Sequence, residues 1–182
     1  MKTLVKLSNL LAFIFLLSSC GGKKQEPTQE QTAAPSDLMA EAPVYDATKI
    51  DPNAAIQTIK LNAVGNTMAD IHYDDTMLVV KAGTTIKLTL ENLSTDPTML
   101  HNFTLIEEGS ANKVAMEGVK AGPDKDYIPA MREVLVATKM LKPKESVEIT
   151  FPAPAAGMYD FICTYPGHAV RMRGKFRVEG GV

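Results

Sequence analysis

Ten residues near the C-terminus, CTYPGHAVRM, bring together a thiol at Cys163, an imidazole at His168 and a thioether at Met172. The whole chain of 182 residues holds only three histidines and two cysteines, so this density of soft and borderline donors points to metal chemistry. MYDFIC before the stretch and GKFRV after it have the pattern of strands, which puts Cys163 at a strand end and His168 and Met172 on the connecting loop. Pro166 and Gly167 bend that loop and turn the three donors toward one point. They would supply three of the four groups of a trigonal copper site made of two imidazoles and a thiolate with a weak axial thioether. The second imidazole must come from elsewhere. His101 is the better placed, because it opens the strand-like HNFTLI, whereas His72 lies in the polar DIHYDD and is expected to be exposed.

Rival chemistries fit less well. A zinc site of one cysteine and two histidines would leave Met172 without a role. A Cys163–His168 nucleophile pair lacks a nearby acid to orient the ring. Four protein donors also fill the metal's shell, and catalytic metal sites keep a position open, so the expectation is a carrier and not an enzyme. The net charge of -2 comes without a basic cluster, which argues against nucleic acid as a partner.

The N-terminus sets the compartment. Lys2 and Lys6 precede the apolar run Leu10–Leu17, too short to span a bilayer but suited to a secretory signal. The run ends in LSSC, which resembles a bacterial lipoprotein signal. That resemblance implies a signal peptide over residues 1–19 and a lipid on Cys20, anchoring the mature chain in a bacterial envelope with its domain facing the periplasm, the outer membrane favoured over the inner. Removal of residues 1–19 takes away two lysines and leaves a net charge of -4. Cys163 is then the one free thiol of an exported protein, and a bound metal would explain how it escapes oxidation.

Residues 20–55, rich in Gln, Glu, Pro, Thr and Ala, show no apolar period and are expected to form a flexible tether reaching roughly 30–35 Å. From residue 56 to 182 the chain has strand periodicity. In TTIKLTLEN, Ile86, Leu88 and Leu90 alternate with Lys87, Thr89 and Glu91, and SVEITF places Val147, Ile149 and Phe151 on one face. One helix breaks the series at SANKVAMEGVKAG, with Ser110 to cap it, Gly122 to stop it and Val114 facing inward. About seven short strands imply an all-β Greek-key sandwich with one short inserted helix.

The ligand segment also resembles the azurin-like blue copper proteins of the cupredoxin family. That family carries Cys-Thr-Phe-Pro-Gly-His followed by three residues and Met, against Cys163-Thr164-Tyr165-Pro166-Gly167-His168 and Met172 here; its upstream GHNW corresponds to Leu100-His101-Asn102-Phe103. GPDKDY and TKML…ESVEITF extend the likeness. The resemblance implies a cupredoxin-like fold and one copper ion with His101, Cys163 and His168 as equatorial ligands and Met172 as the axial one. It implies that Asn102 ties the two ligand loops together. Leu100 stands where the family has a glycine, and no cysteine remains for the disulfide that azurins carry. The implied function is single-electron transfer between redox proteins, such as cytochromes or a terminal reductase or oxidase, through the edge of His168. Met99, Tyr165, Pro166 and Val170 would line an apolar docking patch there, with Met68 at its margin and Arg171 and Arg173 adding positive charge. The other function compatible with the ligand set is copper storage or delivery.

Overall fold

The computed structural model describes residues 45–180; the signal segment, Cys20 and the first part of the tether lie outside that span. Among these described residues nine strands form two sheets. One has the order β2-β1-β4-β7, from β1 (Ile56–Val64), β2 (His72–Tyr73), β4 (Thr85–Asn92) and β7 (Ser146–Pro152). The other runs β3-β9-β8-β5-β6, from β3 (Met77–Lys81), β5 (Thr104–Glu107), β6 (Val134–Ala137), β8 (Gly157–Ile162) and β9 (Arg173–Glu179). β1 with β4 and β3 with β9 are parallel; every other pair is antiparallel.

The alternation in β4 does what its sequence implies: Ile86, Leu88 and Leu90 are buried, and the intervening residues are part-exposed. These three join Leu61, Phe103, Leu105, Phe151, Phe161 and Phe176 in one core between the sheets. Each such side chain contributes roughly 1.5–3 kcal/mol by leaving water. A smaller cluster of Ile106, Ala111, Val114, Ile162 and Ala169 lies where α1 (Ala111–Ala121) packs on the outer face of the larger sheet.

The structure departs from the sequence reading in four places. Two strands were not foreseen: β2 is only two residues long, and β6 is an edge strand whose residues are all half-buried, so neither has an alternating pattern. The Ser110 side chain does not cap α1, because its hydroxyl turns back to donate to the Glu107 carbonyl at 2.6 Å. Gly122 does end the helix, at φ 76°, a value that favours glycine. His101 does not open a strand; it forms a single bridge with Leu141, and β5 begins three residues later. Lastly, the segment read as tether touches the domain. Tyr45 donates its hydroxyl to the Pro152 carbonyl at 2.7 Å, and the Ala55 carbonyl accepts the Thr85 N–H at 2.9 Å.

Register delivers the donors. β5 and β8 pair Thr104 with Ile162, and β8 and β9 pair Ile162 with Arg173. The residues just before β5, just after β8 and just before β9 therefore meet at one end of the sandwich, and these are the segments of His101, Cys163 and Met172.

Candidate metal centre

Cys163 leaves β8 and is fixed by its N–H, which donates to the Met172 carbonyl at 3.0 Å. The next residues form a tight turn. His168 N–H donates to the Tyr165 carbonyl at 3.0 Å, and Gly167 holds φ 83°, as the third residue of a type II turn with Pro166 in second place must. The chain then winds through a short 3-10 turn, His168–Val170, and Met172 N–H donates to the His168 carbonyl at 2.8 Å. Three donors on one loop are thus set by local backbone bonds.

His101 arrives on a loop held from both sides. It exchanges backbone bonds with Leu141, and the buried amide of Asn92 donates to the Met99 carbonyl at 2.8 Å and the Leu141 carbonyl at 3.1 Å. Ser94 braces that amide by donating to its oxygen at 2.5 Å. Asn102 ties this loop to the other: its side-chain nitrogen donates to Thr164 Oγ1 at 2.7 Å, and its oxygen accepts the Thr164 N–H at 2.9 Å. Asn102 thus hydrogen-bonds the Cys163–Met172 loop from the loop that carries His101.

The result is a cluster of His101, Cys163 and His168 whose donor atoms all lie within 4.8 Å of one another. The Nδ1 atoms of the two rings are 3.2 Å apart, and Cys163 Sγ is 3.8 Å from His168 Nδ1. His101, Cys163 and Met172 are 0 % exposed and His168 is 1 % exposed. Burial pushes His101 down to about 4, with His168 as the second cause, and burial alone pushes His168 down to about 4, so both rings stay neutral near pH 7. The Cys163 thiol is pushed up to about 11 by burial, against the pull of hydrogen bonds from the backbones of Asn102 and Tyr165. Burial, and then the nearby Cys163, keeps the Tyr73 phenol well above its ordinary value and so a donor.

These residues fit a soft or borderline metal. Two neutral imidazoles converge beside a buried thiol, the Met172 side chain shares the Cys163 core, and no carboxylate belongs to the cluster, as calcium or magnesium would require. His72 is not part of it: it is exposed, and its ring pairs with the Asp70 carbonyl at 2.6 Å.

Around His168 the loop places Tyr165 at a ring distance of 4.6 Å, with Tyr127 edge-on to Tyr165 at 5.4 Å. Val170 is 77 % exposed, Met68 and Arg171 are exposed, and Met99, Tyr165 and Pro166 are half-buried. Met68 belongs beside this loop, since its methyl lies 3.3 Å from where a Gly167 side chain would begin. Arg173 is turned elsewhere: its Nε donates to the Ala169 carbonyl at 2.5 Å and its Nη2 reaches Asn112 of α1. Sequence reasoning missed Asn92, Tyr73 and Gly118. Asn92 was the easiest to find, because it continues the inward-facing series of Ile86, Leu88 and Leu90. Gly118 sits where a side chain would come within 2.6 Å of the Tyr127 carbonyl and 3.4 Å of Thr164, so its bareness lets α1 and the segment after it close on the ligand loop.

Residues 58–179 match the family described as copper-binding proteins of the plastocyanin/azurin type. Auracyanin-A of Chloroflexus aurantiacus is 40% identical over 125 residues, which cover 67% of this chain and 74% of that protein. Outer membrane protein H.8 of Neisseria meningitidis serogroup B is 34% identical over 123 residues, 61% of this chain and 67% of that protein. Among solved structures, dithionite-reduced auracyanin from the photosynthetic bacterium Roseiflexus castenholzii superposes with a TM-score of 0.61 at 40% identity, covering 69% of this chain and 98% of that one. With the sandwich, the ligand loop and the buried donor set agreeing, the chain belongs to the plastocyanin/azurin family of copper-binding proteins, and its cofactor is copper.

Proposed function

We propose that the protein carries single electrons between redox partners in the bacterial envelope, through one copper that His101, Cys163, His168 and Met172 would hold. Copper in such a donor set supplies one reversible electron, because the set is a compromise between what its two oxidation states prefer. The observation that carries the reading is the convergence of two neutral imidazoles and one thiol, all buried and all held by backbone and Asn102 bonds. Donors fixed in this way need little movement when charge changes. The kinship to auracyanin and membership of the plastocyanin/azurin family support the same role.

Storage or delivery of copper asks for donors that release the ion to an acceptor. Full burial of His101 and Cys163 and the backbone bonds around them work against such release. Slow loss to an added Cu(I) chelator is the expected result, and release within seconds would favour delivery.

Partners would dock on Met68, Met99, Tyr165, Pro166 and Val170, with Arg171 favouring acidic groups on the other side. We infer that Cys20 carries the lipid that anchors the chain, with the domain facing the periplasm. Supporting this, a relative is named as an outer membrane protein. Membrane fractions should lose the protein when Cys20→Ala is introduced.

The central test is to add one equivalent of Cu(II) to residues 21–182 and record visible and electron spin resonance spectra. An intense blue thiolate-to-copper band with narrow hyperfine splitting, lost in Cys163→Ser, is expected. A pale, ordinary cupric spectrum would overturn the electron-carrier reading.

A further inference from the structure

Asn102 follows His101 directly, and each of its polar groups is held. Its backbone hydrogen-bonds the Cys163 thiol, its side-chain oxygen accepts the Thr164 N–H at 2.9 Å, and its side-chain nitrogen donates to Thr164 Oγ1 at 2.7 Å and to the Asp126 carbonyl at 3.3 Å. The remaining group, its carbonyl, accepts the hydroxyl of Tyr73. That tyrosine comes from a different part of the fold, the two-residue strand β2 at the edge of the smaller sheet.

Tyr73 is rigidly delivered. It is 2 % exposed, pairs with Ala63 in the sheet, and packs its ring on Phe161 at 5.3 Å, two residues before Cys163. The loop leading to it is held by the Asp70 carboxylate, which accepts the N–H and hydroxyl of Thr67, both at 2.7 Å. The strand after Asn102 is fixed as well, since Phe103 N–H donates to Thr138 Oγ1 at 3.0 Å. A phenylalanine at position 73 would fill the same apolar space, so packing alone does not call for the hydroxyl.

We propose that Tyr73 is a positioning residue for the copper centre: by holding the Asn102 carbonyl, its hydroxyl keeps the Asn102 N–H on the Cys163 sulfur. The inference rests on the copper reading above. The Asn102 N–H belongs to the peptide before it, whose His101 carbonyl accepts the Leu141 N–H at 2.7 Å, and the Tyr73 bond fixes the peptide that follows, so Asn102 is held on both sides of its Cα. An N–H on the sulfur puts partial positive charge beside it and favours the reduced centre, which carries one positive charge fewer; hydrogen bonding at this sulfur is a known control of potential. Without the hydroxyl, the N–H bond loosens and the oxidised centre gains.

The experiment compares the full chain with Tyr73→Phe, which retains the ring on Phe161, and with Tyr159→Phe, whose hydroxyl bonds the Ala155 carbonyl in the connection that precedes β8. Midpoint potentials are taken on copper-loaded protein, and amide hydrogen exchange at Asn102 and urea stability on metal-free protein. Tyr73→Phe should keep the blue spectrum and lower the potential by a threefold to tenfold change in oxidised-to-reduced preference, about 28–59 mV at 59 mV per decade. Asn102 exchange should quicken about tenfold, while Tyr159→Phe moves neither. A variant that is less stable but unchanged in potential and in Asn102 exchange makes Tyr73 a packing residue and overturns the proposal. A potential that moves without faster Asn102 exchange, or that moves equally in Tyr159→Phe, overturns it too. Wild-type protein without a blue spectrum would sink the copper reading instead, and the metal-free exchange data would still judge the clamp.

Discussion

Acid should unfold the metal-free protein through its two buried ligand rings. In the folded state His101 and His168 are held at about 4, against an ordinary value near 6.5, chiefly because burial penalises the charged ring. The unfolded chain therefore binds more protons between these values, and stability must fall as pH drops through 6.5, levelling off below about 4. One ring moved this far is worth roughly 3 kcal/mol across the window. The second ring adds to this but titrates in concert with the first, since their Nδ1 atoms are 3.2 Å apart and cannot both be charged cheaply. Against a typical domain stability of about 5–15 kcal/mol this is a large fraction. Carboxylates with lowered values, Asp46, Asp70 and Asp96 by bonds to neighbouring threonines and Glu133 by Lys113, lose most of their contribution below pH 4.5, past the end of the assay range. The assay is urea unfolding followed by far-ultraviolet circular dichroism, in chelator, at half-unit steps from pH 7 to 4.5. Wild-type stability should fall by roughly 3–5 kcal/mol over that range, and His101→Gln/His168→Gln should be nearly flat. Equal slopes for the two proteins would refute the assignment.

Three further outcomes follow from the same geometry. Loading with a divalent metal should release one proton, because the Cys163 thiol sits at about 11 while both rings are already neutral. Apparent affinity should then rise about tenfold per pH unit from 5 to 9, and a slope of zero or two would contradict the site. Gly118→Ala gains helix propensity but forces a methyl to within 2.6 Å of the Tyr127 carbonyl. A net loss of about 1–2 kcal/mol is expected in urea, and stabilisation would show that the contact relaxes freely. Arg171→Glu should slow electron transfer to an acidic partner at low ionic strength, with the gap closing in high salt; equal rates at low salt would remove Arg171 from the docking surface.

Much of the centre was legible because its chemistry is local. Cys163, His168 and Met172 lie on one loop whose turn is written in Pro166 and Gly167, and the φ of 83° at Gly167 is a property of that tetrapeptide. Alternation in β4 and β7 revealed strands, since a sheet with one wet face imposes period two on its residues. β2 and β6 escaped notice for the same reason: one is too short to show a period, and the other lies at an edge where no residue is wholly in or out.

The amino-acid sequence by itself determined the donor types, the ligand turn, the β class and the kinship. Tertiary structure alone decided which distant groups surround the donors. His101 meets His168 across 67 positions, Tyr73 reaches Asn102 across 29, and Asn102 reaches Thr164 across 62. No local pattern encodes such meetings, because they depend on strand register and on how closely two backbones can approach. The register pairing Thr104 with Ile162 and the bare Cα of Gly118 set those terms for this protein, and with them the environment of its copper.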